Sequence, residues 1–342
     1  MKLIIQIPCL NEEAVLPRTL TDLPRDIEGF DDVEWLVVDD GSSDRTAEVA
    51  RECGVDHVVR FPSNKGLAVA FQAGLDAALK LGADVVVNTD ADNQYHGGDV
   101  DRLVAPILAR EADIVVGNRV PKEMHDFSRT KKLLQSWGSW VVRQASDTDI
   151  PDATSGFRAY SREAALRVNV VSRFTYTLET IIQAGKSDLA ITHVQVRTNP
   201  KLRESRLFPS TAQYVKRSVG TILRIYAMHE PLPVFLWPAA VFGALGLALF
   251  GRFFYYFATS GGAGHVQSLI VGAVLLVFAL QLALLGVISD LLRANRVISE
   301  RTLERVRKLE LALEVEPDTL TSVIVQLPDT PVGATETRPR TR

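Results

Sequence analysis

The chain has 342 residues, with 38 Lys and Arg against 41 Asp and Glu and a formal net charge of -3 at pH 7. That balance supplies no basic field for nucleic acid, and the length predicts a catalytic unit of roughly 200 residues with an appended module. Cys9 and Cys53 are the only cysteines, so no disulfide framework exists and the soluble part is expected in a reducing compartment.

From the N-terminus, residues 1–8 carry one Lys and a short apolar run that meets proline and acidic residues at once, too short for a signal peptide. The catalytic domain is therefore expected not to be secreted. Short β-rich runs at 2–7, 33–38, 57–61, 85–88 and 113–116 alternate with helix-like segments near 13–20, 44–52, 66–81 and 99–110. This alternation predicts an α/β fold, a mostly parallel sheet with helices on both faces. In such sheets ligands bind beyond the carboxyl ends of the strands. The residues that follow the apolar runs fit the rule: Pro8, Asn11, Glu12 and Glu13; Asp39, Asp40, Gly41 and Ser42; Asp90, Ala91 and Asp92.

Further along, 214–228 mixes Lys216, Arg217 and Arg224 with Val215, Val219, Ile222, Leu223 and Ile225, the pattern of a basic amphipathic helix on an anionic leaflet. Two apolar runs follow, 234–250 (extended by 253–257) and 268–289, each close to the roughly 20 residues that cross a bilayer core. The connector 259–267 holds no Lys or Arg, whereas Arg293, Arg296, Arg301, Arg305, Arg307 and Lys308 follow the second run, so the positive-inside rule puts both ends in the cytoplasm. Rows at Ala240, Ala244 and Ala248 and at Ala279 and Ala283 permit close helix contact within the hairpin or between protomers. The polar, aperiodic 317–342 reads as a disordered tail. The expected units are a catalytic domain at 1–210, an interfacial helix at 211–230, two transmembrane helices at 231–292 (about 233–257 and 267–290), and a basic helix with tail at 293–342.

Carboxylates crowded at one sheet edge repel one another unless a cation or hydroxyls use them. Asp90 and Asp92, two apart past a buried strand, are candidate ligands of one divalent ion, with Gln94 as a neutral oxygen donor. Hard oxygen ligands with room for water and phosphate fit Mg2+ or Mn2+ and not zinc. Asp40 and Glu12 are candidate acceptors from a ribose hydroxyl or base. Neither GxGxxG after the first strand nor GxxxxGK[ST] occurs, which removes dinucleotide dehydrogenases and P-loop NTPases.

The ordered segments Pro8-Cys9-Leu10-Asn11-Glu12-Glu13, Val37-Val38-Asp39-Asp40-Gly41-Ser42-Ser43-Asp44, Asn64-Lys65-Gly66, Asp90-Ala91-Asp92-Asn93-Gln94, Gly117-Asn118-Arg119 and Thr154-Ser155-Gly156-Phe157-Arg158-Ala159-Tyr160 resemble glycosyltransferase family 2. Within it, the dolichyl-phosphate mannose or glucose synthase-like branch is the nearer likeness, over about residues 2–208. The resemblance implies a GT-A fold that moves a hexose from a UDP- or GDP-linked donor to a polyprenyl phosphate at the cytoplasmic membrane face. It also implies that Pro8, Leu10, Glu12, Val38 and Asp40 contact the nucleoside, with Asp90 and Ala91 beside them. Asp90, Asp92 and Gln94 then hold the ion, and Arg119 contacts phosphate. Arg203-Glu204-Ser205-Arg206-Leu207 resembles the family's Gly-Glu-Ser-Lys-Leu element, so Arg203 and Arg206 are expected at the acceptor phosphate. The family's upstream Arg falls near Pro200, with Arg197 and Lys201 as substitutes, and Leu10 stands where Tyr is common.

Arg129, Lys131 and Lys132 are candidate acceptor contacts or a solvated basic face, and Lys131 is retained as the candidate. Arg158 either binds phosphate or pairs with a carboxylate; Glu179 either touches the sugar or, as the favoured reading, is an exposed helix carboxylate; His96 and His125 show no ligand spacing. Asp92, Arg119 and Arg206 are the expected catalytic set. The chief rival is a family 2 transferase acting on a lipid-linked saccharide or glycan hydroxyl; a non-catalytic scaffold would be expected to lack one metal carboxylate. The membrane reading has a direct check: cysteine labelling from outside cells modifies a probe placed in 261–264 and spares one at Thr335, and the reverse pattern contradicts both-ends-inside topology.

Overall fold

The computed structural model describes residues 1–119, 146, 148–170, 176–186, 189–200, 220, 224, 226–228, 230–261, 266–313 and 323–326. The first half alternates as expected: β1 (Lys2–Cys9), α1 (Leu16–Asp22), β2 (Asp32–Asp39), α2 (Thr46–Glu52), β3 (His57–Arg60), α3 (Leu67–Lys80), β4 (Val85–Asn88), α4 (Val100–Leu108) and β5 (Ile114–Arg119). Then come β6 (Arg158–Ser161), α5 (Arg162–Arg167), α6 (Thr177–Lys186) and β7 (Ile191–Val196). The sheet order is β7-β5-β6-β4-β1-β2-β3-β8, where β8 is Val323–Gln326. It is mostly parallel, but β6 runs antiparallel to both β4 and β5, and β8 runs antiparallel to β3.

Each buried strand is apolar on both faces, which is why the runs read as continuous rather than alternating. Ile4, Leu36, Val38, Val86, Ile114 and Tyr160 turn toward α3, α5 and α6. Leu3, Ile5, Val37, Val87 and Val115 turn toward α1, α2 and α4. The sheet lies between the two helical layers, and the carboxyl ends of β1, β2 and β4 emerge together, since Pro8 lies opposite Val38 and Gln6 opposite Asn88.

Two long helices close the chain, α7 (Pro231–Ser260) and α8 (Val266–Ala312). Both are long and apolar enough to cross a membrane. Val241, Leu245, Leu247, Val274, Leu280 and Leu284 are exposed on them, whereas a soluble core helix would bury such residues. The contact between α7 and α8 is made by glycines: Gly246 lies against Leu276 and Gly272, and Gly272 against Phe250. Ala279 is buried at this seam, but Ala240, Ala244 and Ala248 are exposed, so the expected alanine row on the first span faces away from its partner. Small residues do form the seam, Ala279 among them, and of the two expected contacts the row on the first span does not serve the one within the hairpin. The segment 211–230 falls mostly outside the described residues; within it 220, 224 and 226–228 are helical. In the tail expected to be disordered, Val323–Gln326 pairs as β8 with the edge strand β3.

Gly41 turns the chain after Asp40 with φ of +70°, and a side chain there would collide with the Ser63 backbone and sit 2.7 Å from Asn64 N. Gly54 has a similar φ of +75° but nothing within 4 Å. Gly41→Ala is expected to lower stability by roughly 2 to 4 kcal/mol and Gly54→Ala by only about 1 kcal/mol. Thermal unfolding of the purified variants checks the pair; equal losses would show that the Ser63–Asn64 approach costs nothing.

Candidate active site

The first half of the site is built where β1 and β2 end. Asn11 adopts φ of +55°, and its Oδ1 accepts from Ser43 N at 2.9 Å while Ser42 Oγ accepts from Asn11 N at 2.9 Å. Glu12 N donates to Thr46 Oγ1 at 2.8 Å, and the Glu12 side chain is buried. These bonds knit the loop after β1 to the loop after β2. They bring Leu10, Glu12 and Asp40 together beyond the ends of the strands that carry Pro8 and Val38, with Leu10 exposed and Val38 fully buried.

The two adjacent aspartates have different work. Asp39, fully buried, accepts from Ser42 N at 2.9 Å and lies 3.1 Å from Arg60 Nε, so its charge is matched inside the fold. Asp40 accepts from Lys65 N at 2.7 Å and from Gly66 N at 2.9 Å, anchoring the turn that starts α3. Burial pushes the Asp40 carboxyl up despite these two amides. Each oxygen keeps a further lone pair for a ligand hydroxyl or N–H.

The second half of the site follows β4. Asn88, at its end, donates to Gly156 O at 2.8 Å and Tyr176 Oη at 2.9 Å and accepts from Gln6 Nε2 at 2.9 Å. Beyond it, Thr19 Oγ1 donates to Ala91 O at 2.8 Å, Gln94 N donates to Asp92 Oδ1 at 3.1 Å, and Asn93 turns the loop with φ of +54°. A Cβ at Gly156 would stand 2.9 Å from both Asp90 oxygens and 2.8 Å from Tyr176 Oη, so only glycine admits the Asp90 carboxylate. Gly156 N donates to Tyr95 Oη at 2.9 Å, which fixes that approach.

Burial, then the charge of Asp92, push the Asp90 carboxyl up to about 7, against the pull of Arg119 and Arg158 and with a further push from Glu12. A buried carboxylate with a second one beside it suits a divalent cation. Among the described residues no three His, Cys, Asp or Glu side chains converge as a cage. The protein therefore offers Asp90 and Asp92, with Gln94 on the same loop, and leaves the remaining positions to water and ligand oxygens, a donor set that fits Mg2+ or Mn2+.

Arg119 ends β5. Its Nε donates to Asp152 Oδ2 at 2.7 Å and its Nη2 to Asp152 Oδ1 at 3.0 Å and Thr154 Oγ1 at 3.0 Å. Burial works against its charge, but Tyr95, Asp152 and Asp90 raise its pKa, and Arg119 in turn holds the buried Asp152 carboxyl below the usual range. The phosphate-contact residue expected from the sequence is thus half of an ion pair at the floor of the site. Asp152 was not foreseen; it lies 33 residues away, and its only local signal is the polar Asp-x-Thr that precedes Ser155.

Arg158 pairs with no carboxylate among the described residues. It is fully buried and donates to Ser155 O, Thr177 O, Thr180 Oγ1 and Ala153 O at 2.6 to 2.9 Å. Glu179 is buried, not an exposed helix carboxylate, because its face of α6 packs toward the sheet. Arg197 pairs with the buried Asp99 at 2.7 Å and its side chain stays half exposed. His96 accepts from Gly98 N at 3.1 Å as a local cap. Arg129, Lys131, Lys132, His125, Lys201, Arg203 and Arg206 lie outside the described residues.

Asp90 carries a stability signature. Its folded pKa of about 7 exceeds the ordinary 3.8, so its stabilising contribution is complete below pH 3.8 and is lost as pH rises through about 7. Metal-free Asp90→Asn is expected to melt above wild type at pH 8, with a much smaller gain at pH 5. Mn2+ is expected to raise the wild-type melting temperature at pH 8 and not that of Asp90→Asn. Calorimetry decides it; a Mn2+ response that survives in the variant removes Asp90 from the ion site.

Comparison with known proteins places this geometry. Residues 4–168 match the model for Glycosyl transferase family 2. The chain is 34% identical over 176 residues to the undecaprenyl-phosphate mannosyltransferase of Micrococcus luteus, covering 50% of this chain and 70% of that one. It is 29% identical over 213 residues to the UDP-N-acetylglucosamine--dolichyl-phosphate N-acetylglucosaminyltransferase of Methanococcus voltae, covering 56% and 83%. Its fold is similar to glucosyl-3-phosphoglycerate synthase from Mycobacterium tuberculosis crystallised with Mn2+, UDP-glucose and phosphoglyceric acid, with a TM-score of 0.55, 22% identity, and 66% of this chain and 80% of that one covered.

Proposed function

We propose that this chain, which belongs to glycosyl transferase family 2, moves a hexose from a UDP- or GDP-linked donor to a polyprenyl phosphate, with inversion, at the cytoplasmic face of a membrane. That it is a glycosyltransferase of GT-A fold follows from the family and the sheet. The observation that carries the acceptor reading is the pair of outward-apolar helices joined to the catalytic domain. The two relatives named for polyprenyl phosphates support it.

The chemistry supports it too. A hydroxyl acceptor needs a general base. Here the carboxylate beside Arg119, Asp152, is bound by that arginine through two nitrogens, and Asp90 and Asp92 are the candidate ion ligands. A phosphomonoester with a second pKa of about 6 arrives ionised and needs no base. Its oxygen forms the new bond to the anomeric carbon as the bond to the donor diphosphate breaks, and the nucleoside diphosphate leaves. Direct displacement turns an α-linked donor into a β-linked product.

In this reading Asp40 and Glu12 hold the nucleoside, with Pro8, Leu10, Val38 and Ala91 along the rim. Asp90, Asp92 and Gln94 hold Mg2+ or Mn2+, which when bound stabilises the leaving diphosphate. Arg119 orients the floor, and Arg203, Arg206 and Lys131 are the cations assigned to the acceptor phosphate. The rival acceptor, a saccharide hydroxyl, would require a carboxylate base, and Glu12, Asp40, Asp90, Asp92 and Asp152 all have other roles in this reading.

Asp92→Asn is expected to cut turnover at least about a hundredfold with the fold intact; near wild-type turnover at saturating Mg2+ or Mn2+ would remove Asp92 from the site. NMR of the purified glycolipid tests the displacement, since an α-linkage retained from an α-linked donor contradicts it.

A further inference from the structure

The helix α8 does not end with its apolar run. From Asp290 it continues as a charged helix to Ala312, and Asp290 to Arg307 spans about 25 Å at 1.5 Å per residue. There it docks on the catalytic domain. Arg307 Nη1 donates to Leu166 O at 3.1 Å and Val168 O at 3.0 Å, carbonyls that α5 leaves open at its C-terminal end, and Nη2 lies 3.2 Å from Asp76 of α3. Glu304 lies 3.8 Å from Arg167, Lys308 lies 3.7 Å from Glu163, and Leu311 packs against the core under α3, α5 and α6. Arg307 is only 12% exposed, so these contacts are not a loose surface pairing.

The contacts also give a direction. α3 starts at Gly66, beside Asp40, and ends next to Ala83 at the opposite edge of the sheet. Arg162, at the start of α5, is tied to that opposite edge through Asp84 O at 2.9 Å and Ala83 O at 2.7 Å. Past the end of α5, Val170 N reaches Gln72 Oε1 at 3.0 Å, partway back along α3. So α5 climbs toward the site, and α8 passes it in the opposite sense, with Glu304 beside Arg167 and Lys308 beside Glu163. Leaving the apolar span, α8 therefore runs from the site end of the domain toward the far end. Asp76 is only about 15 Å along α3 from Gly66, less than the 25 Å that separate Arg307 from the apolar span. The carboxylate edge faces the bilayer.

We infer that α8 is a rigid strut and that Arg307, through Asp76 and the α5 carbonyls, is a positioning residue that sets the height and tilt at which the Asp90–Asp92 edge meets an acceptor phosphate anchored in the membrane. This rests on the lipid-acceptor reading above. A purely stabilising dock would affect every acceptor alike, whereas a positioning dock affects the membrane-anchored one.

The full chain in phospholipid vesicles tests it. In a Cys53→Ser background, a fluorophore on Ser43→Cys reports the site end and one on Lys80→Cys the far end, read against a head-group quencher lipid. The Ser43 label is expected to be quenched at least about twofold more, the two ends lying about 20 Å apart along α3. A helical insertion of seven residues after Arg301 keeps every docking contact and helix face but lifts the domain by about 10 Å. It is expected to lower quenching at Ser43 and raise the KM for a long-chain polyprenyl phosphate about tenfold, by slackening the approach that positioning provides. The donor KM and turnover of a short soluble prenyl phosphate in detergent stay unchanged. Arg307→Ala is expected to give the same split, and Arg307→Lys to recover most of it. Equal quenching at both ends, an insertion without effect, or equal loss on both acceptors would overturn the inference. Expected quenching in a protein that accepts no polyprenyl phosphate would uphold the strut and sink the acceptor reading alone.

Discussion

A carboxylate placed where both burial and a neighbouring carboxylate oppose its charge is the constraint on which this site depends. Asp90 sits at the end of β4 against Gly156, with Asp92 adding repulsion and with Arg119 and Arg158 supplying the compensating charge. Neither arginine is spare. Arg119 is fastened to Asp152 and Thr154, and Arg158 is sealed under the site by three carbonyls and a hydroxyl. An unpaired buried guanidinium is costly. Its position is sustained by those four acceptors and by the negative field of the site above it, a field that a bound cation would then share.

From that floor the division of labour around the rim follows. Asp39 is paired with Arg60, whereas Asp40, the next residue, accepts from the Lys65 and Gly66 amides and fixes the start of α3. The same α3 carries Asp76, where α8 docks. One helix thus links the Asp40 loop to the place where α8 docks, a short rigid path between the carboxylate edge and the two apolar helices.

The fold was legible in the sequence because parallel strands buried on both faces write continuous apolar runs, and the candidate site residues follow those runs directly. The elements β6 and β7 were not read. Arg158-Ala159-Tyr160-Ser161 is short and begins with a charge that is stable in the interior only because distant carbonyls surround it, and β7 is half-exposed, so neither has a run to detect. Pairings across long separations were equally invisible: Arg119 with Asp152, Arg197 with Asp99, Arg307 with Asp76. Burial of Glu179 and the glycine rather than alanine seam between α7 and α8 are products of tertiary packing, which local periodicity does not encode.

The central claim, transfer of sugar to a membrane-anchored phosphate, is tested most directly by incubating the protein in membranes with a panel of labelled UDP- and GDP-sugars and a polyprenyl phosphate, then extracting into organic solvent and weighing the product by mass spectrometry. The account predicts label in the organic phase as a hexose joined through one phosphate to the prenyl chain, formed only when the prenyl phosphate is supplied. Label that stays with a water-soluble saccharide, or an organic product carrying a diphosphate link, would contradict it.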